Sequence, residues 1–436
     1  MRTQPAEAAP LGAGERVVVV GASLAGLRGA EAVRAAGFAG SLTLVGAEAH
    51  PPYDRPPLSK HVLTGSTAAG ATTLPNLVPL AAEWRLGTAA TRLDRENRTL
   101  HLGDGGSLAY DRLLIATGTR ARPWPNPDEG RLRGVHTIRD RDDAAALRTA
   151  LAAGPRHVLV IGSGFIGCEV AAACRTLGLA VTMVAPASTP LARVLGNHLG
   201  AVVGTMHASR GVTLRSGKVE RLEGDDRGRV ARAHLADGDS LAVDVVVVAL
   251  GAVRNTEWLE GSGLSADAGG LDCDADGHAL DARGVADSRI FAAGDVARFP
   301  HPLYDGRRVA LEHWSHAVAQ AAHAGRGIAG AAPAAPYAAM PSFWSTQYGV
   351  NIKSVGLTDG ADGLVIAQGE PKSGRFLAVY GREGRCIAAV SFDSGRWLPA
   401  YAEQIAARAP FPPIRDGADQ PRHLGVLSPG FPEQPA

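Results

Sequence analysis

Cysteine is scarce: the 436-residue chain has four, Cys168, Cys174, Cys273 and Cys386, with no C-x-x-C pair among them. That excludes a dense disulfide framework and a thiolate metal site, and leaves free thiols in a reducing compartment. Net charge is also lacking, because 44 Lys plus Arg nearly balance 43 Asp plus Glu. Nothing in that balance points to nucleic acid or an acidic membrane. No apolar run reaches the roughly 18 residues that span a bilayer, and the opening MRTQPAEAAPLGAGE has no apolar signal core. We expect a soluble, cytoplasmic protein, without a metal, long enough for two or three domains.

What is present is a pair of glycine-rich turns, VVVVGASLAG at Val17–Gly26 and HVLVIGSGFIG at His157–Gly167. Each follows a β-branched run and opens an alanine-rich stretch, the strand, turn and helix that present backbone N–H groups to a pyrophosphate. In the second turn Gly162, Gly164 and Gly167 complete G-x-G-x-x-G, with Phe165 and Ile166 between the last two. In the first, Gly21 and Gly26 keep the outer positions, Ser23 replaces the middle glycine and Ala25 precedes the last. One such turn is a weak signal, since an α/β turn without ligand reads the same way. Two in one chain predict two bound dinucleotides.

The pattern predicts strand at Arg16–Val20, helix at Leu24–Ala36 and strand at Leu42–Val45, one βαβ unit ending beside Glu48, placed to accept from an adenosine ribose. HPPYDRPPLSK, His50–Lys60, is a proline-stiffened loop that suits neither a central strand nor a helix interior. YDRLLIATGTRARPWP leaves the first nucleotide domain through Gly118, and a second βαβ runs from His157 to Val184, closed by a buried strand ending at Gly251. RIFAAGDVARFP leads a short strand into Gly294-Asp295, where a carboxylate can accept ribityl hydroxyls. Beyond Pro333, FLAVYG and IAAVSF alternate like antiparallel strands. The expected fold class is α/β, with two Rossmann-like dinucleotide-binding domains and a C-terminal α+β domain. The domains are 14–120 and 252–330 for the first nucleotide, 121–251 for the second, and 331–410 for the C-terminal one. A flexible start precedes them, and 411–436 reads as a flexible tail.

The set VVVVGASLAG, PYDRPPLSK, YDRLLIATG, IGSGFIGCEV, FAAGDVARF, EHWSHAV and PSFWSTQYG resembles the FAD-dependent, NAD(P)H-oxidising ferredoxin reductases of bacterial oxygenase systems, within the pyridine nucleotide-disulfide oxidoreductase class. The resemblance covers about Arg16 to Trp397. It implies FAD at Gly21–Gly26 with Glu48 and Asp295, further flavin contacts from Arg55, Lys60, Ala90, Gly118, Arg139 and the backbone of Trp314, and NADH or NADPH on Gly162–Gly167 with Arg193 and Gly251. It also implies catalytic roles for Lys60, near the flavin, and for Glu169, pairing with it to orient lysine and nicotinamide. Taken alone, Lys60 reads as a solvated lysine and Glu169 as a helix-start acid. The implied partner is an iron–sulfur ferredoxin feeding a cytochrome monooxygenase or ring-hydroxylating dioxygenase. Phe343, Trp344 and Tyr348 are candidates for the flavin edge or a docking surface, and Arg307 and Arg308 for steering an acidic partner.

The sequence departs from the pattern at the end of the second strand of the second βαβ, where members that prefer NADH carry an acid and this chain has Ala185. Cofactor preference is therefore open. Rubredoxin reductase and a nitrite-reductase flavin subunit share most of these motifs. A disulfide reductase needs a reactive cysteine where Lys60 stands, and an apoptosis-inducing-factor-like protein would bind nucleotide without fast turnover.

Overall fold

The computed structural model describes residues 11–187, 189–331, 335–413 and 425–432. The flexible start expected at the N-terminus lies largely outside these residues, as do 332–334 near the expected boundary at 331. The described chain divides into two compact units, 1–54 with 73–120 and 253–341, and 55–72 with 121–252 and 342–436.

In the first unit the valine-rich strand Arg16–Val20 lies inside a six-stranded sheet, flanked in parallel by Ser41–Gly46 and Arg112–Ile115. Glu83–Leu86 continues the sheet beyond Ser41–Gly46 and Ala286–Ala292 beyond Arg112–Ile115, both parallel, and His278–Leu280 adds an antiparallel edge. Strands buried on both faces read as continuous apolar runs, as in the VVVV of Val17–Val20 and the LLI of Leu113–Ile115. Helices Leu24–Ala35 and Trp314–Ile328 pack closely together because Gly325 has no Cβ; one there would stand 2.5 Å from the Gly29 carbonyl oxygen. Val17, Val19, Leu27, Leu114, Phe291 and Ala321, all fully buried, anchor the core between helices and sheet. Ala90–Asp94, Thr99–Leu102 and Ser107–Ala109 form a separate antiparallel meander.

The second unit repeats the plan with a five-stranded parallel sheet, ordered Val212–Ser216, Ala180–Ala185, His157–Ile161, Val245–Val248 and Val135–His136. It also contains a five-stranded antiparallel sheet, Ser342–Gln347, Val350–Gly356, Arg385–Phe392, Arg375–Arg382 and Gly363–Glu370, beside helix Leu398–Ala406. This sheet meets helix Ala192–Ala208 where that helix breaks at Gly196: the Tyr380 hydroxyl donates to Leu195 O at 2.6 Å.

Three differences from the sequence reading follow from long-range contacts. Residues 55–72, expected within the first nucleotide domain, belong to the second unit. Leu58–Val62, expected as loop, forms one π-helical turn, with Pro56 and Pro57 at its entry, where missing N–H groups cost nothing. The tail expected to be flexible is held at 425–432: Leu427 and Leu364 exchange backbone hydrogen bonds of 2.8 Å, and Asn197 N donates to Gly430 O at 2.9 Å. Residues 414–424 and 433–436 of that tail lie outside the described residues.

Candidate functional site

Two cradles are built on one plan. In the first unit Gly21 leaves its strand at φ +113°, and a Cβ there would lie 2.1 Å from the Ala116 carbonyl oxygen; one on Gly26 would lie 1.9 Å from Gly21 O. In the second unit the corresponding approaches are 2.2 Å from Gly162 to Ala249 O and 2.2 Å from Gly167 to Gly162 O. These four glycines are demanded by the protein's own packing. Gly164 is different. It caps helix Phe165–Thr176 at φ −73°, ψ −174°, a backbone any residue adopts, and an added Cβ would meet no protein atom within 4 Å. The open space in front of that helix N-terminus, with no acid in the first turn, fits the pyrophosphate of a dinucleotide. Ser23 holds the same position before Leu24–Ala35, whose first turn also lacks an acid.

The first unit also carries several of the residues expected to contact the flavin. Glu48 follows strand Ser41–Gly46 and accepts a hydrogen bond from the Tyr53 hydroxyl. Gly294, at φ +78°, brings its turn onto Ala25: a Cβ on Gly294 would lie 2.9 Å from Ala25 Cβ. The next residue, Asp295, accepts from the Thr119 hydroxyl at 3.4 Å, and Arg254 Nε donates to its carbonyl at 3.1 Å. Gly118 turns at φ +60° with open space beside it. Trp314 opens its helix and donates Nε1–H to Asp54 Oδ1 at 2.9 Å. Ala90 opens the meander just after Thr88, whose N–H binds Gly46 O at 2.9 Å, below the Glu48 turn.

Around the second cradle, Leu191 N donates to Ser163 O at 2.9 Å, holding the start of helix Ala192–Ala208 to the glycine turn, with Arg193 exposed on its first turn. Gly251 is exposed at φ +90°. Ile166 is 39% exposed, and the Phe165 ring packs against Phe343 at 4.7 Å. Arg55 and Arg139, expected as flavin contacts of the first nucleotide, belong to the second unit, where Arg55 Nη1 donates to the Arg139 carbonyl at 3.0 Å. Ala185 ends its strand buried. On the adjacent strand Arg215, in register with Val184, is held by Asp237 at 2.8 Å and by Asp239.

The π-helical turn carries Lys60 against the helix bearing Glu169, and Lys60 Nζ stands 2.7 Å from Glu169 Oε2. Glu169 is 4% exposed. Its Oε2 also accepts from the Ser59 hydroxyl at 2.5 Å and its Oε1 from Ser345 at 2.6 Å, while Lys60 donates to Pro56 O at 3.1 Å. Removing a carboxylate and an ammonium from water is costly unless they pair and find further partners; here the carboxylate has three donors and the partly exposed ammonium two acceptors. Sequence reasoning missed Ser59, Ser345 and Tyr53. Each lies inside a motif that was singled out, PPLSK, FWSTQY and PPYDR, but a hydroxyl beside a named residue carries no sign of its partner.

The remaining candidates sit as follows. Tyr348 is half-buried in the second unit, packed against His207 and beneath Arg210 at ring distances of 5.2 and 5.0 Å. Trp344 is 37% exposed. Arg308 is engaged by Asp272 at 2.9 Å, and Arg307 lies over the Tyr304 ring. All four cysteines are buried and free. Burial pushes the Cys174 thiol up to about 12 and Cys168 well above its ordinary value, the opposite of what a redox-active thiolate needs.

A chain with two dinucleotide cradles and a lysine–carboxylate ion pair beside the second has the architecture of the pyridine-nucleotide oxidoreductases. Residues 15–321 match the pyridine nucleotide-disulphide oxidoreductase family, and residues 342–424 match the reductase C-terminal family; the chain belongs to the former. It is 38% identical to the anthranilate 1,2-dioxygenase system ferredoxin–NAD(+) reductase component of Burkholderia cepacia, covering 90% of this chain and 94% of that one. It is 35% identical to rhodocoxin reductase of Rhodococcus erythropolis, over 91% of each. Among solved structures, the covalent putidaredoxin reductase–putidaredoxin complex matches with a TM-score of 0.85 at 31% identity, covering 92% of this chain and 94% of that one.

Proposed function

We propose that the protein is an FAD-dependent NAD(P)H:ferredoxin oxidoreductase serving a cytochrome monooxygenase or a ring-hydroxylating dioxygenase. The observation that carries this reading is the Lys60–Glu169 pair, 2.7 Å apart, with Glu169 on the helix that begins at the second cradle and Lys60 on the π-helical turn packed against it. Bound FAD supplies the chemistry, accepting two electrons from NAD(P)H and returning them singly to an iron–sulfur carrier.

The chain's own residues bind and orient. Gly21–Gly26 present N–H groups to the FAD pyrophosphate, Glu48 accepts from the adenosine ribose and Asp295 from the ribityl chain. Ala90, Gly118 and Trp314 complete that assignment in the first unit. In the second unit Arg55, Lys60 and Arg139 are assigned as polar contacts to cofactor, and Gly162–Gly167, Arg193 and Gly251 to the nicotinamide nucleotide. Glu169 fixes the Lys60 ammonium, and Lys60 offers positive charge where negative charge develops. The described residues at the end of the Ala185 strand provide neither a free acid for a ribose 2′-hydroxyl nor a free arginine for a 2′-phosphate. NADH and NADPH should therefore be used with kcat/KM values within about tenfold of each other. A cytoplasmic setting belongs to the same proposal, in keeping with four free thiols.

The test is an anaerobic titration of the purified protein with NADH and, separately, NADPH. Loss of a flavin band near about 450 nm, followed by ferredoxin-dependent reduction of cytochrome c, is the expected result. A protein that cannot be reconstituted with FAD defeats the proposal. A reduced flavin that persists in a long-lived nucleotide complex and passes electrons to no carrier would instead mark a binding protein.

A further inference from the structure

Glu169 stands at the end of a line of buried hydrogen bonds longer than an ion pair requires. From Oε1 the line runs to Ser345 Oγ at 2.6 Å, on to Gln347 Nε2 at 3.1 Å, from Gln347 Oε1 to His207 Nε2 at 2.9 Å, and from His207 Nδ1 to the Tyr348 hydroxyl at 3.2 Å. Ser345, Gln347 and His207 are fully buried. The first two share one face of strand Ser342–Gln347, where alternate residues point the same way, and His207 comes from the last turn of helix Ala192–Ala208. Two distant stretches of chain are thus tied to one carboxylate, one through Ser345 and the other through His207, Gln347 and Ser345.

Chemistry gives the line a direction. A carboxamide oxygen only accepts, so His207 Nε2 carries the proton that Gln347 Oε1 receives. Burial holds the His207 imidazole below its ordinary value, leaving Nδ1 to accept, and it pushes the Tyr348 hydroxyl up to about 12, leaving it to donate. A carboxamide nitrogen only donates, so Ser345 Oγ accepts from Gln347 and turns its own hydrogen toward Glu169. Every bond points at the carboxylate. Bonds aligned in this way polarise one another in a low-dielectric interior. The line does not conduct protons, because an amide cannot pass one on without leaving its stable tautomer.

We propose that Ser345, oriented by Gln347 and His207, is a positioning residue of the reductase, fixing the Glu169 carboxylate and through it the Lys60 ammonium. The antiparallel sheet of the second unit thereby sets the geometry of the redox site. This rests on the reductase reading above, with Lys60 and Glu169 in the roles assigned there. Without Ser345, Oε1 loses its donor while Oε2 keeps Ser59 and Lys60, and the carboxylate can pivot about its anchored oxygen. A displacement of that kind at a group orienting reactants costs rate out of proportion to stability.

The experiment uses the FAD-loaded protein with Ser345→Ala and, separately, Gln347→Leu. Anaerobic stopped-flow mixing with NADH gives the flavin-reduction rate constant and the apparent nucleotide affinity, and redox titration gives the midpoint potential. Long-range nitrogen-15 NMR reads the His207 tautomer in the wild-type protein without nucleotide or ferredoxin. Positioning predicts a rate constant about tenfold lower in Ser345→Ala. It also predicts a smaller fall in the same direction in Gln347→Leu, a more negative midpoint potential in both, unchanged nucleotide affinity per bound flavin, and a proton on His207 Nε2. Wild-type rate and potential in both variants, with only the melting temperature lowered, would overturn it and leave a purely structural line. A proton on His207 Nδ1 would overturn the direction on which it depends. If Ser345→Ala fails to retain FAD, Gln347→Leu decides by the same criteria. A wild-type protein that neither nucleotide reduces defeats the reductase reading itself, whereas a reducible wild type with unaltered variants defeats only the positioning role.

Discussion

At the scale of single residues, Glu169 is satisfied from both oxygens and Lys60 from two sides, so each variant leaves a defined remainder. Lys60→Ala leaves the carboxylate with the Ser59 and Ser345 hydroxyls, a partly compensated group that the fold can carry. Flavin reduction should fall by about a hundredfold while FAD stays bound, as expected for losing charge placed where charge develops. Stopped-flow reduction alongside the flavin-to-protein absorbance ratio measures both. Glu169→Gln should slow reduction similarly, because an amide cannot anchor the ammonium as a carboxylate does; unchanged rates in both variants would remove the assigned role. Tyr53→Phe makes a milder prediction. It deprives Glu48 of its hydroxyl donor, so FAD affinity should weaken about fivefold, the worth of one ordinary hydrogen bond, as measured by fluorescence titration of the apoprotein. Lys60 and Glu169 could be read from the sequence because their motifs bring them as a pair. Ser345 and His207 could not, since their link to Glu169 exists only once an antiparallel strand and a helix end have packed against it.

Among the elements, the two glycine turns separate what packing demands from what a ligand demands. Gly167→Ala drives a Cβ to within 2.2 Å of Gly162 O, so it should cost more than about 3 kcal/mol, visible as a lowered urea midpoint with or without nucleotide. Gly164→Ser copies the residue that the first turn already carries at Ser23 and meets no protein atom. It should leave the unfolding free energy from urea titration within about 0.5 kcal/mol of wild type yet raise the KM for NAD(P)H severalfold. Equal KM values would mean that the space in front of Gly164 is not used by the nucleotide. The turns were legible in the sequence because a strand, a positive-φ glycine and an alanine-rich helix each leave a local mark. The π-helical turn Leu58–Val62 leaves none: two prolines read as a loop, and the turn is held by packing against helix Phe165–Thr176 and by Arg148, which donates to Val62 O at 3.1 Å.

For the molecule as a whole, the fold class was accessible from the sequence because the parallel strands at the heart of both sheets announce themselves as valine-rich runs. The transfer of residues 55–72 to the second unit was not, being a matter of tertiary contact alone. Buried histidines carry a further global consequence. His316 stacks on Phe299 and shares a hydrogen bond of 2.9 Å with Tyr337, and burial lowers it from 6.5 to about 4. His313 is lowered to about 4 by the same cause, and His136, His207, His301 and His323 move in the same direction. Between pH 6.5 and about 4 the unfolded chain therefore binds protons at these rings that the folded chain does not. Stability is fully present above pH 6.5 and falls as the pH drops through that window, with His316 alone contributing up to about 3 kcal/mol by its lower end. Asp143, whose carboxyl is raised by burial, opposes the trend with a single group. Urea midpoints at pH 7.5, 6.5 and 5.5 should decline monotonically with acidity. His316→Gln, which keeps a partner for Tyr337 but cannot titrate, should show a shallower decline. A variant slope equal to that of wild type would mean that His316 is protonated in the native state without cost, and that its burial beside Phe299 does not exclude the charge.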